Sequence, residues 1–322
     1  MYLGIDHSTT GVKLAIRNSE RTIQTARASR EKLGGWDEYQ ILRFIRDTVD
    51  ENQIKRAAIS YSYGDAISSI QEIDSVSERG VIDTVGMGYS TGGGSKVFDA
   101  LASSEIPTVV LPGIHREIES LHPYFQHYSL LAGPDKYASI RAAFERFKVE
   151  SESEGAYIWA GISSSVVAGL VLEGKIRGLF HWIGLVHGWP DLEEIRRIGT
   201  HGYEDIISRA GILGKRGQKI STVKGGQPED VLQMVEWATK HNISSLIPFI
   251  DEYDNQELDA IVLTGRFLRQ SGEYDLNRSL YEWGTQKASV YVIEPYASAR
   301  GAALIAQDVS EGKKEILGID VS

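Results

Sequence analysis

Cysteine is absent from the 322 residues, which excludes disulfides, thiolate metal sites and a catalytic thiol. Long apolar runs are absent too: no stretch reaches the ~18 residues that a membrane span needs. The N-terminus has no basic start followed by an apolar signal core; Tyr2-Leu3-Gly4-Ile5-Asp6 enters directly into a strand-like pattern. A basic surplus is also missing, since 34 Lys and Arg stand against 44 Asp and Glu, for a formal charge of −10. No compact Lys/Arg cluster interrupts that negative field, which repels a phosphodiester backbone. These absences predict a cytoplasmic protein with neither a membrane nor a nucleic acid as partner. An anionic ligand would need a local positive site.

What is present is ordinary for a globular chain, with 42% apolar and 24% charged residues. The length suffices for two domains, and a protein of this size buries roughly 75% of its unfolded surface. In Gly11-Val12-Lys13-Leu14-Ala15-Ile16-Arg17 apolar residues fall at alternate positions, the period of a half-buried strand. A third strand is expected over 21–27, a helix over 36–50 with Tyr39, Leu42, Ile45 and Val49 at helical spacing, and a strand over 57–61. A glycine-rich stretch, Gly86 to Ser95, precedes a short helix and the apolar strand at 108–111, and a strong helix comes next over 135–149. The polar run Ser151-Glu152-Ser153-Glu154-Gly155 then reads as a solvated linker, placing domains at 1–150 and 151–322.

Beyond that linker the opening pattern recurs. Strand Tyr157-Ile158-Trp159-Ala160 leads into the small polar turn Gly161-Ile162-Ser163-Ser164-Ser165, a strand at 166–172, a hairpin turn at Glu173-Gly174-Lys175 and a strand over 176–183. Helices are expected over 192–198 and 228–240. Strand, small-polar turn, strand and strand thus appear twice, half a chain apart, as in a duplicated α/β protein.

Four segments carry candidate chemistry. In Gly4-Ile5-Asp6-His7-Ser8-Thr9-Thr10-Gly11, a hairpin of hydroxyl residues offers backbone N–H and side-chain O–H groups to phosphates. Asp6, at the end of its strand, can hold Mg²⁺ through water. A plain β-turn has much the same composition. The Gly161 to Ser165 turn offers a second such grip, or is an ordinary tight hairpin. In Asp259-Ala260-Ile261-Val262-Leu263-Thr264-Gly265-Arg266 a buried strand stops at glycine, where backbone can approach a ligand and a helix starting there would offer free N–H groups. Ala297-Ser298-Ala299-Arg300-Gly301-Ala302-Ala303-Leu304 opens a helix whose small residues suit close packing, either as a crossing point between domains or simply as a packing face.

Taken in this order, the four resemble the two phosphate motifs, the adenosine motif and the second connecting helix of the acetate and sugar kinase, actin and heat-shock ATPase superfamily, over roughly 1–310. The resemblance implies two duplicated ribonuclease H-like domains of the actin-like ATPase fold, with the helix near 296–309 crossing back to the first, and ATP with Mg²⁺ in an interdomain cleft. The segments Gly161–Ser165, Trp189-Pro190-Asp191-Leu192-Glu193-Glu194-Ile195 and Gly92-Gly93-Gly94-Ser95-Lys96-Val97-Phe98-Asp99 are similar to acid kinases and, more narrowly, to the archaeal methanogenesis marker protein 12 group.

The resemblance implies an ATP-binding protein of acid- or sugar-kinase type, with a small carboxylic acid as the expected phosphoryl acceptor and a link to methanogen metabolism. The alternative is a non-catalytic, nucleotide-gated regulator or assembly factor. A homodimer is compatible with either. The implied nucleotide-binding residues are Asp6, His7, Ser8, Thr9, Thr10, Gly161, Ser163, Ser164, Ser165, Thr264, Gly265, Arg266 and Gly301, with Asp6 organising the metal. Two departures from the family pattern bear on turnover. The second phosphate turn has no carboxylate in either registration, only Trp159, Ala160 and Gly161, with Trp159 where acetate kinases carry a phosphoryl-stabilising histidine. Arg266 also replaces a second glycine of the adenosine motif. His115 and Arg116, after the turn Leu111-Pro112-Gly113, are the candidate catalytic replacements, with His181 and His187 as further inward-pointing candidates.

Overall fold

The computed structural model describes residues 1–8, 11–60, 67–76, 94–128, 131–151, 155–163, 165–181, 210–217, 228–252, 256–269, 274–293 and 295–322. The chain divides into two compact units, Met1–Glu145 together with Tyr296–Ser322, and Arg146–Pro295.

The first unit is built on a six-stranded sheet. β1 (Tyr2–Ser8), β2 (Gly11–Arg17) and β3 (Thr22–Ser29) form an antiparallel meander, succeeded by α1 (Arg30–Gly34) and α2 (Glu38–Thr48). Next along the chain are β4 (Arg56–Ser60), β5 (Gln71–Glu72), α3 (Gly94–Ala102), β6 (Thr108–Val110) and α4 (Pro134–Ser151), and the sheet order is β3-β2-β1-β4-β6-β5. β1 runs parallel to β4, and β4 parallel to β6. α2 starts where it does because Asp37 and Gln40 form a capping box: the Gln40 N–H donates to Asp37 Oδ1 at 2.8 Å and the Asp37 N–H to Gln40 Oε1 at 3.0 Å. Its buried Ile41 and Ile45 join Leu3, Ile5, Leu14 and Ile59 in one core.

The second unit holds β7 (Ala156–Ile162), β8 (Val166–Leu172), β9 (Lys175–His181), α5 (Ile212–Lys215), α6 (Glu229–Leu246), β10 (Leu258–Thr264), α7 (Leu276–Gly284) and β11 (Ser289–Val292). Every residue of β7 and β8 is buried, as near-continuous apolar runs require in a sheet covered on both faces. The tight turn between β8 and β9 uses Glu173 at φ 51° and Gly174 at φ 72°, the paired positive angles that suit a two-residue hairpin. The order is β11-β10-β7-β8-β9, with β7 antiparallel to β8 and parallel to β10. Strand for strand, β3-β2-β1-β4-β6 and β9-β8-β7-β10-β11 share order and direction.

The chain then returns to the first unit as α8 (Ala297–Ser310) and the short hairpin β12 (Glu315–Ile316) and β13 (Ile319–Asp320). α8 lies on β1, β2 and β4 through small residues. A Cβ on Gly4 would stand 1.9 Å from the Ala299 carbonyl oxygen, so only glycine admits this contact. On its other side α8 meets α4 in a buried ionic network. Arg141 Nε donates to Asp308 Oδ2 at 2.7 Å, Arg141 Nη2 to Asp308 Oδ1 at 3.2 Å and Lys313 Nζ to Asp308 Oδ1 at 2.6 Å. Burial works against both charges. It is the largest single influence on each. Their mutual hydrogen bonds and charge attraction, with Lys313 beside Asp308 and Glu145 beside Arg141, together outweigh it and hold the Asp308 carboxyl below and the Arg141 guanidinium above their ordinary values. Beside them the Tyr137 hydroxyl donates to Ile316 O at 2.9 Å; burial, reinforced by Asp308, pushes its pKa well above the usual range. Among the described residues no helix is long and apolar enough to cross a membrane.

Candidate functional site

At the end of the first sheet, β1 and β2 close between Ser8 and Gly11, whose φ of 128° suits glycine. Thr9, Thr10 and the side chain of Ser8 lie outside the described residues. Asp6 pairs across the hairpin with Lys13 and on its other side with Ser60, the last residue of β4. Only 1% of Asp6 is exposed. Lys13 Nζ donates to Asp6 Oδ2 at 2.8 Å, while Ser60 Oγ lies 3.2 Å from Ile5 O and 3.4 Å from Asp6 Oδ1. Three adjacent strands therefore bring a carboxylate, an ammonium and a hydroxyl to one strand end. His7, half-buried, takes the opposite pleat direction from Asp6. Lys13 was not among the residues expected from sequence. Its signal is the hairpin register itself, which sets it directly opposite Asp6 once Ser8 pairs with Gly11.

The second hairpin is furnished differently. β7 and β8 close between Ile162 and Val166, and the Ser163 N–H donates to Ser165 O at 3.0 Å. Ser163 and Ser165 are half-buried; Ser164 lies outside the described residues. Gly161 sits opposite Val167 on β8 and beside Thr264, the last residue of β10. Gly265 has φ 134°, and a Cβ there would stand 1.9 Å from Ile162 O, so the end of β10 is pressed against the hairpin backbone. Trp159, 1% exposed, leans along β7 so that a Cβ on Gly161 would meet its Cζ2 and Cη2 at 2.5 Å. The structure thus brings Gly161, Ser163, Ser165, Thr264 and Gly265 together within one unit.

Several expectations are corrected. No α-helix starts after Gly265; a single 3₁₀ turn, Arg266–Arg269, stands there instead, and the exposed Arg266 stacks its guanidinium 4.8 Å from the ring centroid of buried Phe267. His115 is fully buried: its Nε2 lies 2.9 Å from Ile67 O, and Nδ1 accepts the Glu117 N–H at 3.4 Å. That pairing fixes Nε2 as the donor and uses both nitrogens to anchor a loop, so the ring has none to offer a phosphoryl group. The neighbouring Arg116 is exposed. Gly301, expected to bind nucleotide, is enclosed by α4, where a Cβ would stand 1.6 Å from Ala138 O; the position serves helix packing. His181 is half-buried at the end of β9. His187, the Trp189–Ile195 segment, the helix over 192–198 and residues 86–93 lie outside the described residues.

Among the described residues, no group of three or more histidines and carboxylates could hold a metal ion. A multi-carboxylate cage is therefore a poor fit. A water-mediated Mg²⁺ fits better, because Mg²⁺ keeps most of its waters and needs only one or two carboxylates, and Asp6 is a buried carboxylate with a hydroxyl neighbour.

No established family profile matches the chain. Full-length relatives do exist. A UPF0285 protein of Methanococcus aeolicus is 33% identical, with 99% of each chain covered. A UPF0285 protein of Methanothermobacter thermautotrophicus is 32% identical over 100% of this chain and 98% of its own. Among solved structures, the acetate kinase of Entamoeba histolytica superposes with a TM-score of 0.56 at 14% identity, covering 95% of this chain and 99% of its own. A propionate kinase of Francisella tularensis gives 0.55 at 12% identity, covering 95% and 98%. At those identities the likeness is one of fold: a mixed α/β protein with two sheets, of the actin-like ATPase type.

Proposed function

Because the chain belongs to the UPF0285 family of methanogen proteins, we propose that it is a cytoplasmic ATP-binding protein of acid-kinase type, a phosphotransferase acting on a small carboxylic acid. The observation that carries this reading is the Asp6–Lys13–Ser60 cluster at the mouth of the first hairpin. Lys13 supplies a local positive charge for a polyphosphate in a chain of net charge −10. Lys13 would pair with phosphate oxygens, and Asp6, with Ser60 beside it, would hold Mg²⁺ through the ion's waters. That ion would supply charge neutralisation for the phosphates. Within its own unit, the second hairpin offers the Ser163 and Ser165 hydroxyls. The kinship with acid kinases in fold supports a carboxylate acceptor, and the methanogenesis marker protein 12 group is the narrower assignment that this reading favours.

The second reading, a nucleotide-gated regulator without phosphoryl transfer, is favoured by two observations. No carboxylate stands at the end of β7, and the His115 ring is fully engaged in anchoring its loop. A turnover screen separates the two. Mg²⁺-dependent ADP release stimulated by one member of a panel of short-chain carboxylic acids is the expected result. ATP binding without turnover on any member of the panel would decide for the regulator.

A further inference from the structure

In the second unit, α6 packs on β8 and β9 and buries Val231, Val235, Asn242 and Leu246 along one face. α7 stands on one flank of it, where Ser279 Oγ donates to Glu236 Oε1 at 2.7 Å and Lys240 Nζ lies 5.7 Å from the ring centroid of Trp283. The side turned away from both is a stripe of Asp230, Met234, Trp237 and His241, about one residue per turn, all exposed. Trp237 is 74% exposed and Met234 46%. Globular proteins bury most of each tryptophan, and two large apolar side chains left in water forfeit their hydrophobic gain. Single exposed apolar residues are common. An adjoining Trp and Met with polar residues at either end have instead the composition of an interface, where an apolar centre rich in these two types meets a polar rim.

We propose that this stripe is a two-fold seam on which α6 of a second copy of the chain docks antiparallel. The order of the side chains selects that partner. Met234 follows Asp230 by four residues, and His241 follows Trp237 by four. An antiparallel copy centred between Met234 and Trp237 therefore sets each Met234 against the other copy's Trp237, and each Asp230 against the other copy's His241. A thioether against an indole is a favourable contact, and an imidazole N–H donates to a carboxylate. Asp230 already accepts from Arg216, but a carboxylate has about four lone-pair sites to share. The same surface patch serves both copies, as a closed two-fold contact requires. A seam about 17 Å long and one helix wide covers less than the roughly 800 Å² per partner of a standard interface, so a dissociation constant on the order of 10–100 µM is expected. The seam is independent of the nucleotide reading.

Sedimentation velocity across that concentration range should show the wild type passing from monomer to dimer. Trp237→Glu is expected to weaken association at least about tenfold, as for a central interface tryptophan. In dilute solution the variant should melt at the wild-type temperature, because the position is exposed. A wild type that stays monomeric, leaving the stripe to a different protein or to another segment of this chain, would overturn the inference. So would equal association of the two proteins. A second measurement keeps the stripe intact and reads its register. The chain has no cysteine, so an introduced one is its only thiol. Gln233 and Ser244 are both exposed on α6. About a two-fold between Met234 and Trp237, the two copies of residue 233 lie about 8 Å apart along the helices, and those of residue 244 about 25 Å. A short bismaleimide should therefore join Gln233→Cys into a covalent dimer and leave Ser244→Cys monomeric. Cross-linking at both positions equally, at neither, or at Ser244→Cys alone would overturn the inference.

Discussion

At matching places in the two sheets, Asp6 faces Lys13 across β1 and β2, whereas Gly161 faces Val167 across β7 and β8. Each lies beside the last residue of the next parallel strand, Ser60 in one case and Thr264 in the other. Two sheets of the same strand order are thus furnished differently. The first hairpin holds a pair of opposite charges. The second holds bare backbone, hydroxyls and a tryptophan, gripped so closely that glycine is compulsory at Gly265. The same strand order sets the two hairpin ends at equivalent places, and the side chains there differ in kind, an ion pair at one and close packing at the other.

The contrast is challenged most severely at Gly265. Gly265→Ala must accommodate a Cβ at 1.9 Å from Ile162 O as well as φ 134°, and should cost about 4 kcal/mol or more in a denaturant titration. Gly312→Ala is the control: it also has positive φ, 84°, but nothing lies within 4 Å of its Cβ, so about 1 kcal/mol is expected. Similar costs at both sites would mean that the second hairpin is not locked by the end of β10.

A smaller effect separates the two units through acid. The first unit is tied together by the Asp308–Arg141 pair, and the Asp308 carboxyl is held below its ordinary value of 3.8. A carboxylate with a lowered folded pKa contributes stability that is complete above its unfolded value and is lost as pH falls through the folded one. Thermal melts should therefore decline as pH drops below about 4, and Asp308→Asn should cost about 3 kcal/mol at neutral pH and weaken that acid limb. An unchanged acid limb in the variant would show that other carboxylates set it.

Much of this was legible in the sequence, for identifiable reasons. β7 and β8 announce themselves as uninterrupted apolar runs bounded by a small-residue turn and by Glu173-Gly174, and α2 by apolar residues such as Leu42 and Ile45 at helical spacing. Asp6 was readable as the carboxylate at a strand end. What escaped depends on pairing between distant segments. Lys13 becomes significant only when β2 is in register with β1, and Gly301 reads as a ligand contact until α4 is packed on it. His115 looks like a cleft histidine because loops after parallel strands often face ligands. Its enclosure arises from Ile67, 48 residues away along the chain. The Arg141–Asp308 pair, separated by 167 residues, leaves no local trace at all.

Whether the Asp6–Lys13 cluster receives a Mg²⁺-bound polyphosphate is decided by ATP calorimetry with and without Mg²⁺ on wild type and Asp6→Ala. Mg²⁺-dependent binding is expected for the wild type, weakened about 100-fold in the variant and stripped of its Mg²⁺ dependence. Equal binding by both proteins, or none by a folded wild type, would contradict that role for the cluster.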